Sequence, residues 1–585
     1  MLGPFTHYVR PYILPLSLGC LTIVLGQKAS TEIPKVIGPA VDALHGLAND
    51  ELARQAAYQQ IWQAAFYIVG LALIVAVLGY AMRQLLGRAA NRIEYDIRTA
   101  YFAHLLKLPL AYYQKHRTGD LMARATNDLN SVHVFFTYGV RGIFETFFTL
   151  VFTLYNMCQI DWQLTLIVLA PLPLFSFFLI RMSALIHSRF KAIQDFFGEM
   201  SNFVQENLSG MRIVKAYVQQ PAQQAAFARL NQTYLDRNRH LILARAKYRP
   251  LTYLIPSIGL GLNLWFGGQA VIEGSFSLGE FVTFNAYLTV LIRPVMYMGW
   301  VIDRFQRALV AMRRINEVMD VKPAIEDAPK TTAERPPITG QIEFRQLNFA
   351  YDEGPVLQDI NLVIPAGTTI GIMGKVGSGK TTLARLVPRL IQAGPGQVLI
   401  DGVPVEEWPL DQLRQAIGYV SQNPFLFSNT IAANIGFGGA EPSREDIVEA
   451  ATQAQLSGDV EEFEQGFDTV IGERGVTLSG GQKQRSTLAR AFIRQPRILI
   501  LDDSLSAVDT RTEEAVLGHL GRIMEGRTTL IIAHRVSTLR DADWIVVLEE
   551  GRIAEQGRHQ DLLDRCGYYA DLAARQQLAA ELENL

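Results

Sequence analysis

Eight consecutive residues, GKVGSGKT from Gly374 to Thr381, have the residue types of a phosphate-binding loop. They match G-x-x-x-x-G-K-[ST], in which backbone N–H groups and a helix N-terminus surround an anionic phosphate chain. The preceding run, Thr368 to Met373, is strand-like, and helical character follows from Thr382. The alternative is a glycine-rich turn arising by chance in a chain with 46 glycines, against which this strand-loop-helix context argues.

The loop residues have distinct expected roles. Lys380 would reach the outer phosphates, and the hydroxyl of Thr381 would ligate Mg²⁺. The other candidate nucleotide-binding residues of this segment are Gly374, Gly377, Ser378, Gly379 and Thr382.

Two further segments qualify as parts of the same site. The run Arg497 to Asp502 is typical of a buried strand that ends in a carboxylate. A carboxylate at this position can hold Mg²⁺ through the water shell of the ion. That pattern alone is common. Some 20 residues earlier, the sequence LSGGQ, Leu478 to Gln482, opens a helix, and the two together form a much more specific signal.

The elements that must position these residues divide the chain in two. A chain of 585 residues is too long to fold around a single hydrophobic core. Of its residues, 49% are hydrophobic and only 19% are charged. Apolar runs fill the N-terminal half, and charge concentrates after about residue 305. The net charge is -2 with no massed basic tail, so nucleic acid is not an expected partner.

Six apolar stretches have about the length that crosses a bilayer. They lie near 11–33, 60–82, 135–159, 163–185, 250–272 and 280–302. The first also fits a signal peptide, and Leu18 to Cys20 faintly suggests a lipoprotein cleavage site with a misplaced leucine. Because five more spans follow, we interpret it as the first membrane helix.

Charge sets the expected orientation and the domain limits. Segments 83–130 and 186–249 are rich in Arg and Lys, whereas 160–162 and 273–279 have none, which places the long connections, both termini and the phosphate loop in the cytoplasm. Helical spacing in the long connections predicts helices that extend beyond the membrane. We therefore expect a transmembrane domain over 1–320, a proline-rich linker over 321–340 and an α/β nucleotide-binding domain over 341–585.

Charged residues in the spans allow two interpretations. Lys28, Glu32 and Lys35 share a helix face, as do Arg141 and Glu145. They could line a polar pathway inside a helix bundle, because a charge facing lipid is costly. They could equally form solvated pairs where the helices have left the membrane.

The phosphate loop, LSGGQ and ILILDD, in this order after six spans, resemble an ATP-binding cassette (ABC) exporter half-transporter over nearly the whole chain. The resemblance implies a multidomain membrane protein, with a six-helix all-α transmembrane domain followed by an α/β P-loop domain. It also implies a transport ATPase of the bacterial cytoplasmic (inner) membrane that uses ATP and Mg²⁺, with membrane lipid around it.

The same resemblance assigns roles to single positions. Tyr351 matches the aromatic residue on which adenine stacks, and Gln422 matches the glutamine that senses Mg²⁺ and the attacking water. His534 matches the switch histidine at the γ-phosphate. Two further segments match a dimer-crossing loop, Ser506 to Asp509, and a segment that contacts the cytoplasmic helices, Gly472 to Gly475. In trans, a partner's nucleotide would be covered by Ser479, Gly480, Gly481 and Gln482.

One position departs from the family pattern, since Asp503 stands where glutamate usually polarises the hydrolytic water. Aspartate withdraws the carboxylate by about 1.5 Å of bond length, and about 1 Å of misplacement can cost roughly a hundredfold in rate. Asp503 should therefore leave nucleotide binding intact and slow hydrolysis. The alternative is that the backbone adjusts and Asp503 remains a competent base.

The chain combines an intact LSGGQ with an aspartate at the general-base position. In this it resembles the degenerate-site subunit of a bacterial heterodimeric multidrug exporter, which has a second half-transporter as its partner. A homodimer with two slow sites is the alternative. The aromatic-rich spans suit a hydrophobic or amphipathic substrate, multidrug or lipid-like, exported by alternating access. The alternative from another functional class is a membrane-embedded ATP-binding regulator or gated channel subunit without active transport.

Overall fold

The computed structural model of the chain describes residues 7–45, 51–327, 335–351, 354–472, 478–504, 521 and 523–583. The chain forms two compact units. The first comprises Met1–Leu105 and Gly119–Asp320, and the second comprises Leu106–Thr118 and Val321–Leu585. The short helix Leu110–Lys115 belongs to the second unit, although it lies within the first predicted cytoplasmic connection.

The described residues of the first unit form helices joined by turns, with no strand among them. Its helices are Ile13–His45, Glu51–Lys107, Thr118–Ile160, Trp162–Leu169, Leu172–Ser209, Met211–Ala216, Gln220–Leu262, Gly268–Ile272 and Leu278–Met319, with π-helical segments at Arg124–Asp128, Phe135–Gly139 and Asn263–Gly267. The helix of 57 residues, Glu51–Lys107, is about 85 Å long at 1.5 Å per residue. A hydrocarbon core is only about 30 Å thick, so this helix continues well beyond it, as the connecting segments predict.

Three helices of the described residues are long and apolar enough to cross a membrane, His7–Leu44, Arg54–Lys107 and Thr118–Ile160. They contain the first three predicted spans, and the shorter apolar segment Leu278–Ile292 overlaps the sixth. The fourth to sixth predicted spans are helical, and their crossing stays a prediction. The fourth is interrupted by a turn at Ala170 and Pro171, because proline has no N–H to continue the preceding helix.

Polar groups join three helices of the first unit at buried positions. The carbonyl of Thr31 accepts hydrogen bonds from Asn156 Nδ2 at 3.2 Å and from the hydroxyl of Tyr287 at 2.9 Å. The paired charges of the spans bond within their own helices, with Glu32 between Lys28 and Lys35 and with Arg141 Nε 2.8 Å from Glu145. A polar pathway along these residues stays a prediction.

The helices Ile13–His45 and Leu278–Met319 meet where backbone touches backbone. A Cβ built on Gly279 would lie 2.1 Å from the carbonyl oxygen of Gly38, so only glycine fits there. Asp42 accepts hydrogen bonds from the hydroxyl of Ser277 at 2.8 Å and from the N–H of Gly279 at 2.6 Å. The Asp42 carboxylate on the helix Ile13–His45 thus accepts hydrogen bonds from donors at the N-terminus of the helix Leu278–Met319.

The second unit contains two sheets. Its strands are β1 Ile342–Tyr351, β2 Gly354–Ile364, β3 Thr369–Gly374, β4 Val398–Ile400, β5 Val403–Pro404, β6 Ile417–Val420, β7 Ile498–Asp502, β8 Thr528–Ile532, β9 Trp544–Glu549 and β10 Arg552–Gly557. The antiparallel sheet has the order β2-β1-β4-β5, and the larger sheet has the order β10-β9-β3-β8-β7-β6. Only β10 runs antiparallel in the larger sheet, so this unit is the α/β domain that the sequence predicts.

Helices flank these strands. The described ones are Lys380–Leu386, Leu410–Gln415, Ile431–Gly436, Arg444–Gln453, Ser457–Glu461, Gly480–Phe492, Val536–Leu539, His559–Asp564 and Tyr568–Glu583. Every residue of the central strands β7 and β8 is buried, which explains their continuous apolar or threonine-rich sequences.

Candidate functional site

Four parallel strands deliver the predicted residues to one edge of the larger sheet. The phosphate loop follows β3, Gln422 comes two residues after β6, Asp502 ends β7, and His534 comes two residues after β8. Because β3, β8, β7 and β6 are neighbours in that order, their carboxyl ends lie side by side. Ligands of open parallel sheets bind at this edge.

The phosphate loop leaves β3 through a backbone that only glycine can adopt. Gly374 has φ of 150°, and a Cβ there would lie 2.2 Å from the carbonyl oxygen of Leu548. The loop then turns back so that Lys380 Nζ donates to the carbonyls of Gly374 and Lys375, both at 2.8 Å. Burial lowers the pKa of Lys380, while the nearby Asp503 and Asp502 oppose that shift.

Two features of this loop fit a bound phosphate chain. The Oγ of Ser378 is buried and has no hydrogen-bond partner among the described residues. An ammonium group has three N–H donors, and two of those of Lys380 point to backbone carbonyls, which leaves the third for an anion. A buried hydroxyl without a partner and a buried cation are both satisfied by phosphate oxygens.

Asp502 is a buried carboxylate with two hydroxyl donors. Thr381 Oγ1 lies 3.0 Å from its Oδ1, and the hydroxyl of Tyr419 lies 3.2 Å from its Oδ2. Burial raises the pKa of Asp502, and the two hydroxyl hydrogen bonds and Arg385 partly oppose this. Thr381 and Asp502 therefore place two hard oxygen ligands together, the type that Mg²⁺ prefers.

These two ligands do not form a complete metal site by themselves. Within the described ranges, no group of three or more His, Cys, Asp or Glu side chains could hold a metal ion. Mg²⁺ at Thr381 and Asp502 would accordingly need phosphate oxygens and water as its remaining ligands, which is its usual arrangement with nucleotides.

Asp503 lies between Gln422 and His534. Its Oδ2 accepts a hydrogen bond from Gln422 Nε2 at 3.2 Å and lies 4.0 Å from His534 Nε2. The backbone of Asp503 is left-handed, with φ of 49°, and its N–H donates to the carbonyl of Ile532 at 2.9 Å. Its backbone is therefore held against β8, which opposes a shift that would advance the carboxylate.

The remaining predicted residues lie at other places in the second unit. Tyr351 ends β1, opposite Gly354, and its ring makes an edge contact with Phe349 at 4.9 Å between centroids. Thr382 is buried in the helix that follows the phosphate loop.

The LSGGQ segment opens the helix Gly480–Phe492 with a capping box. The Oγ of Ser479 accepts from the N–H of Gln482, and Gln482 Oε1 accepts from the N–H of Ser479. Gln482 Nε2 also contacts Asp459 at 3.3 Å. Gly480 and Gly481 form the first turn of this helix. Ser506 to Asp509 and Glu473 to Gly475 lie outside the described residues.

The structure adds residues that the motifs do not indicate. Tyr419 sits on β6 and binds Asp502, but nothing in the sequence IGYV distinguishes it from an ordinary strand residue. Lys375, inside the phosphate loop, pairs with Glu549 at 2.6 Å across 174 residues. Gln576, far along the chain, bonds to the backbone on either side of Arg535.

A phosphate loop, a buried carboxylate at a strand end and an LSGGQ helix, joined in one chain to long apolar helices, define a membrane-bound P-loop ATPase of the cassette type. The chain belongs to the ABC transporter family. Residues 16–295 match the family described as the ABC transporter transmembrane region, and residues 357–506 match the family described as ABC transporter.

Similar proteins cover almost the whole chain. It is 36% identical over 98% of its length to "Probable multidrug resistance ABC transporter ATP-binding/permease protein YheI" of Bacillus subtilis (strain 168), covering 97% of that protein. It is 35% identical over 94% of its length to "Multidrug resistance-like ATP-binding protein MdlA" of Escherichia coli (strain K12), covering 92% of that protein. It is 34% identical over 96% of its length to "ATP-dependent lipid A-core flippase" of Syntrophus aciditrophicus (strain SB), covering 92% of that protein.

The chain is thus an ABC exporter of the half-transporter type, a membrane protein that binds ATP and couples its ATPase activity to export.

Proposed function

We propose that this chain exports hydrophobic or amphipathic compounds, multidrug or lipid-like, across the bacterial cytoplasmic membrane as one half of a heterodimer. The observation that carries this proposal is the Asp503 carboxylate, which contacts Gln422 yet has one methylene fewer than the usual glutamate. Its site would hold ATP for long periods and turn it over slowly. The names of the similar proteins, which concern multidrug resistance and lipid A, support the substrate class.

In the proposed mechanism, the side chains divide the binding tasks. Lys380 and Ser378 bind the phosphates, and Tyr351 stacks on adenine. Mg²⁺ is held by Thr381, by Gln422 and, through water, by Asp502. Bound Mg²⁺ would supply Lewis-acid stabilisation of the charge that develops on the phosphates.

The slow hydrolytic step is assigned to the remaining polar residues. Asp503 accepts a proton from the attacking water, Gln422 orients that water, and His534 contacts the γ-phosphate. The distance of 4.0 Å from His534 Nε2 to Asp503 Oδ2 leaves these groups close enough to act on one water. Because the Asp503 backbone is bonded to Ile532, compensation for the shorter side chain would require β8 to move as well.

The partner subunit is proposed from the intact LSGGQ helix. Ser479 to Gln482 would cover ATP held by a second half-transporter that has glutamate at the position of Asp503. Faster hydrolysis would take place there.

Transport would follow from nucleotide-driven closure. Two short helices in the cytoplasmic connections, Leu110–Lys115 and Met211–Ala216, are proposed to transmit closure to the membrane helices. ATP that binds the closed state more tightly shifts the equilibrium towards it. We further propose cytoplasmic termini and the domain limits 1–320, 321–340 and 341–585.

Inside-out membrane vesicles that contain the full-length chain, alone and co-expressed with a candidate partner, test the proposal. A hydrophobic fluorescent dye should accumulate with ATP, more strongly with the partner, and Lys380→Ala should abolish accumulation. Ion conductance without dye movement in the presence of a competent partner would instead favour a channel or regulator.

A further inference from the structure

The segment that carries His534 leaves two backbone groups to be satisfied by another part of the fold. After β8 the chain extends through Arg535, with φ of -103° and ψ of 133°, and then forms the helix Val536–Leu539 of four residues. The N-terminal N–H groups of a helix need a capping acceptor. Arg535 occupies the N-cap position and makes no side-chain cap, because a guanidinium has no acceptor.

Gln576 supplies both missing partners. Its Oε1 accepts from the N–H of Val536 at 2.8 Å, and its Nε2 donates to the carbonyl of His534, also at 2.8 Å. Only one orientation of the amide can do this, since the reverse would bring donor to donor and acceptor to acceptor. One side chain thus fixes the backbone on both sides of Arg535.

The helix that carries Gln576 is firmly attached to the domain. Tyr569, near its start, is fully buried, and its hydroxyl lies 2.7 Å from His559 Nδ1. The N–H of Tyr568 donates to Glu555 Oε1 at 2.6 Å. Gln576 therefore stands about two helical turns beyond a buried anchor.

The first residue of this helix also contacts the phosphate loop. Lys375 Nζ lies 5.7 Å from the ring centroid of Tyr568, within the range of a cation–π interaction, while it pairs with Glu549. Both the phosphate loop and the histidine segment are therefore in contact with the C-terminal helix Tyr568–Glu583.

We propose that Gln576 is a positioning residue for His534 in ATP hydrolysis. This inference rests on the role proposed above for His534. The imidazole is 43% exposed and lies 4.0 Å from the Asp503 carboxylate, so its position at the γ-phosphate depends chiefly on its backbone. Displacement of a catalytic group by about 1 Å can cost roughly a hundredfold in rate.

A double-mutant cycle with His534 separates positioning from a general loss of structure. The variants are Gln576→Ala, His534→Ala and the double variant of the full-length chain, assayed with radiolabelled ATP so that slow turnover is measurable. Gln577→Ala is the matched control. Gln577 is the next residue of the same helix, and among the described residues its side chain bonds only within that helix, to Glu581 at 3.2 Å. Thermal unfolding of each variant is measured alongside.

Gln576→Ala should lower kcat by roughly tenfold and leave the KM for ATP within about twofold, since the phosphate loop is unaltered. The double variant should be no slower than His534→Ala, because Gln576 acts through that residue. Gln577→Ala should behave as the wild type.

Three results would count against the inference. If His534→Ala is slow but Gln576→Ala has the wild-type rate, Gln576 has no positioning role. If the two effects multiply in the double variant, Gln576 does not act through His534. If His534→Ala itself has the wild-type rate, the proposed role of His534 fails, and the inference fails with it.

Discussion

The side-chain amide of Gln422 donates a hydrogen bond to Oδ2 of Asp503, with 3.2 Å between nitrogen and oxygen. This bond joins residues 81 positions apart in sequence, at the ends of the neighbouring strands β6 and β7. It places the amide that would orient the attacking water against the carboxylate that would accept its proton. The rate at this site should therefore depend on the reach of the carboxylate.

Replacing Asp503 with glutamate should accelerate ATP hydrolysis by roughly tenfold to a hundredfold. The added methylene advances the carboxylate by about 1.5 Å towards the water, and a displacement of about 1 Å can change a rate a hundredfold. Steady-state turnover of the purified full-length chain measures this, with ATP affinity expected to stay within about twofold.

Asp503→Asn is the matched control, since it keeps the length of aspartate and removes its basicity. It should abolish the residual turnover and leave ATP bound. A brisk wild-type rate to which Asp503→Glu adds nothing would show that Asp503 is already a competent base, and the degenerate-site proposal would be wrong.

The buried Asp502 predicts a pH-dependent stability of the nucleotide-free protein. Folding raises the pKa of this carboxyl above its ordinary value of 3.8, so the folded state binds the proton more tightly than the unfolded state. Stability must then fall as pH rises from about 4 through the raised pKa. Asp502→Asn should raise the unfolding temperature at pH 7, by about 2–4 °C per kcal/mol recovered, and this gain should shrink towards pH 4.

With ATP and Mg²⁺ present, the wild type should have a higher unfolding temperature than Asp502→Asn, which is the reverse of the order expected without nucleotide. Wild type gains about 2.7 kcal/mol with ATP at a hundred times its Kd in Mg²⁺, whereas Asp502→Asn should lose most of the Mg²⁺-dependent part. The exposed Asp541 provides the control, and Asp541→Asn should leave both melting curves unchanged. An Asp502→Asn protein that melts like wild type at every pH would contradict the buried-carboxylate argument.

The sequence alone indicates which residue types could form the ATP site, but it does not indicate how they are arranged in space. The phosphate loop, Asp502, Asp503, Gln422 and His534 could be named because each belongs to a short local pattern. The structure adds that the strand order β3-β8-β7-β6 brings them to one edge. Strand order depends on long-range pairing, which no local pattern contains.

Contacts made by residues without a motif could not be predicted. Gln576 lies in a helix of ordinary polar composition, and its importance comes only from two backbone groups some 40 residues earlier. The turn at Pro171 is likewise not indicated by hydropathy, because the run 163–185 stays apolar through its two prolines, Pro171 and Pro173.

Gly374 should tolerate alanine less well than Gly377 does. Both have positive φ, so each alanine costs roughly 1–3 kcal/mol in backbone strain. At Gly374 the new Cβ would also lie 2.2 Å from the carbonyl of Leu548, whereas no atom lies within 4 Å at Gly377. Gly374→Ala should thus lose more than about 3 kcal/mol of stability. Calorimetry without nucleotide tests this, and equal melting temperatures for the two variants would contradict it.

Gly279→Ala should destabilise the membrane unit by about 1–3 kcal/mol, because its Cβ would lie 2.1 Å from the carbonyl of Gly38 and force two helices apart. Gly268→Ala is the control in another helix, where nothing lies within 4 Å of the added carbon. Unfolding temperature in detergent compares them. A Gly279→Ala protein as stable as Gly268→Ala would show that these helices do not need to touch.

Two roles of Ser479 can be separated by substitution. The first is to cap the LSGGQ helix, and the second is its proposed contact with the nucleotide of the partner. Ser479→Ala removes the cap that accepts from the N–H of Gln482 and should cost about 1 kcal/mol of stability. Ser479→Asp keeps a good cap, so its unfolding temperature should stay near that of the wild type.

The same aspartate would place a negative charge where the proposal puts the γ-phosphate of ATP held by the partner. Ser479→Asp should therefore abolish ATP hydrolysis in the complex with a partner while leaving the isolated chain folded, because like charges at close range repel. Thermal unfolding and ATPase assays of the same preparation make the comparison. If Ser479→Asp retains full ATPase activity with a partner present, Ser479 serves only as a helix cap, and the proposed contact across the subunit interface is wrong.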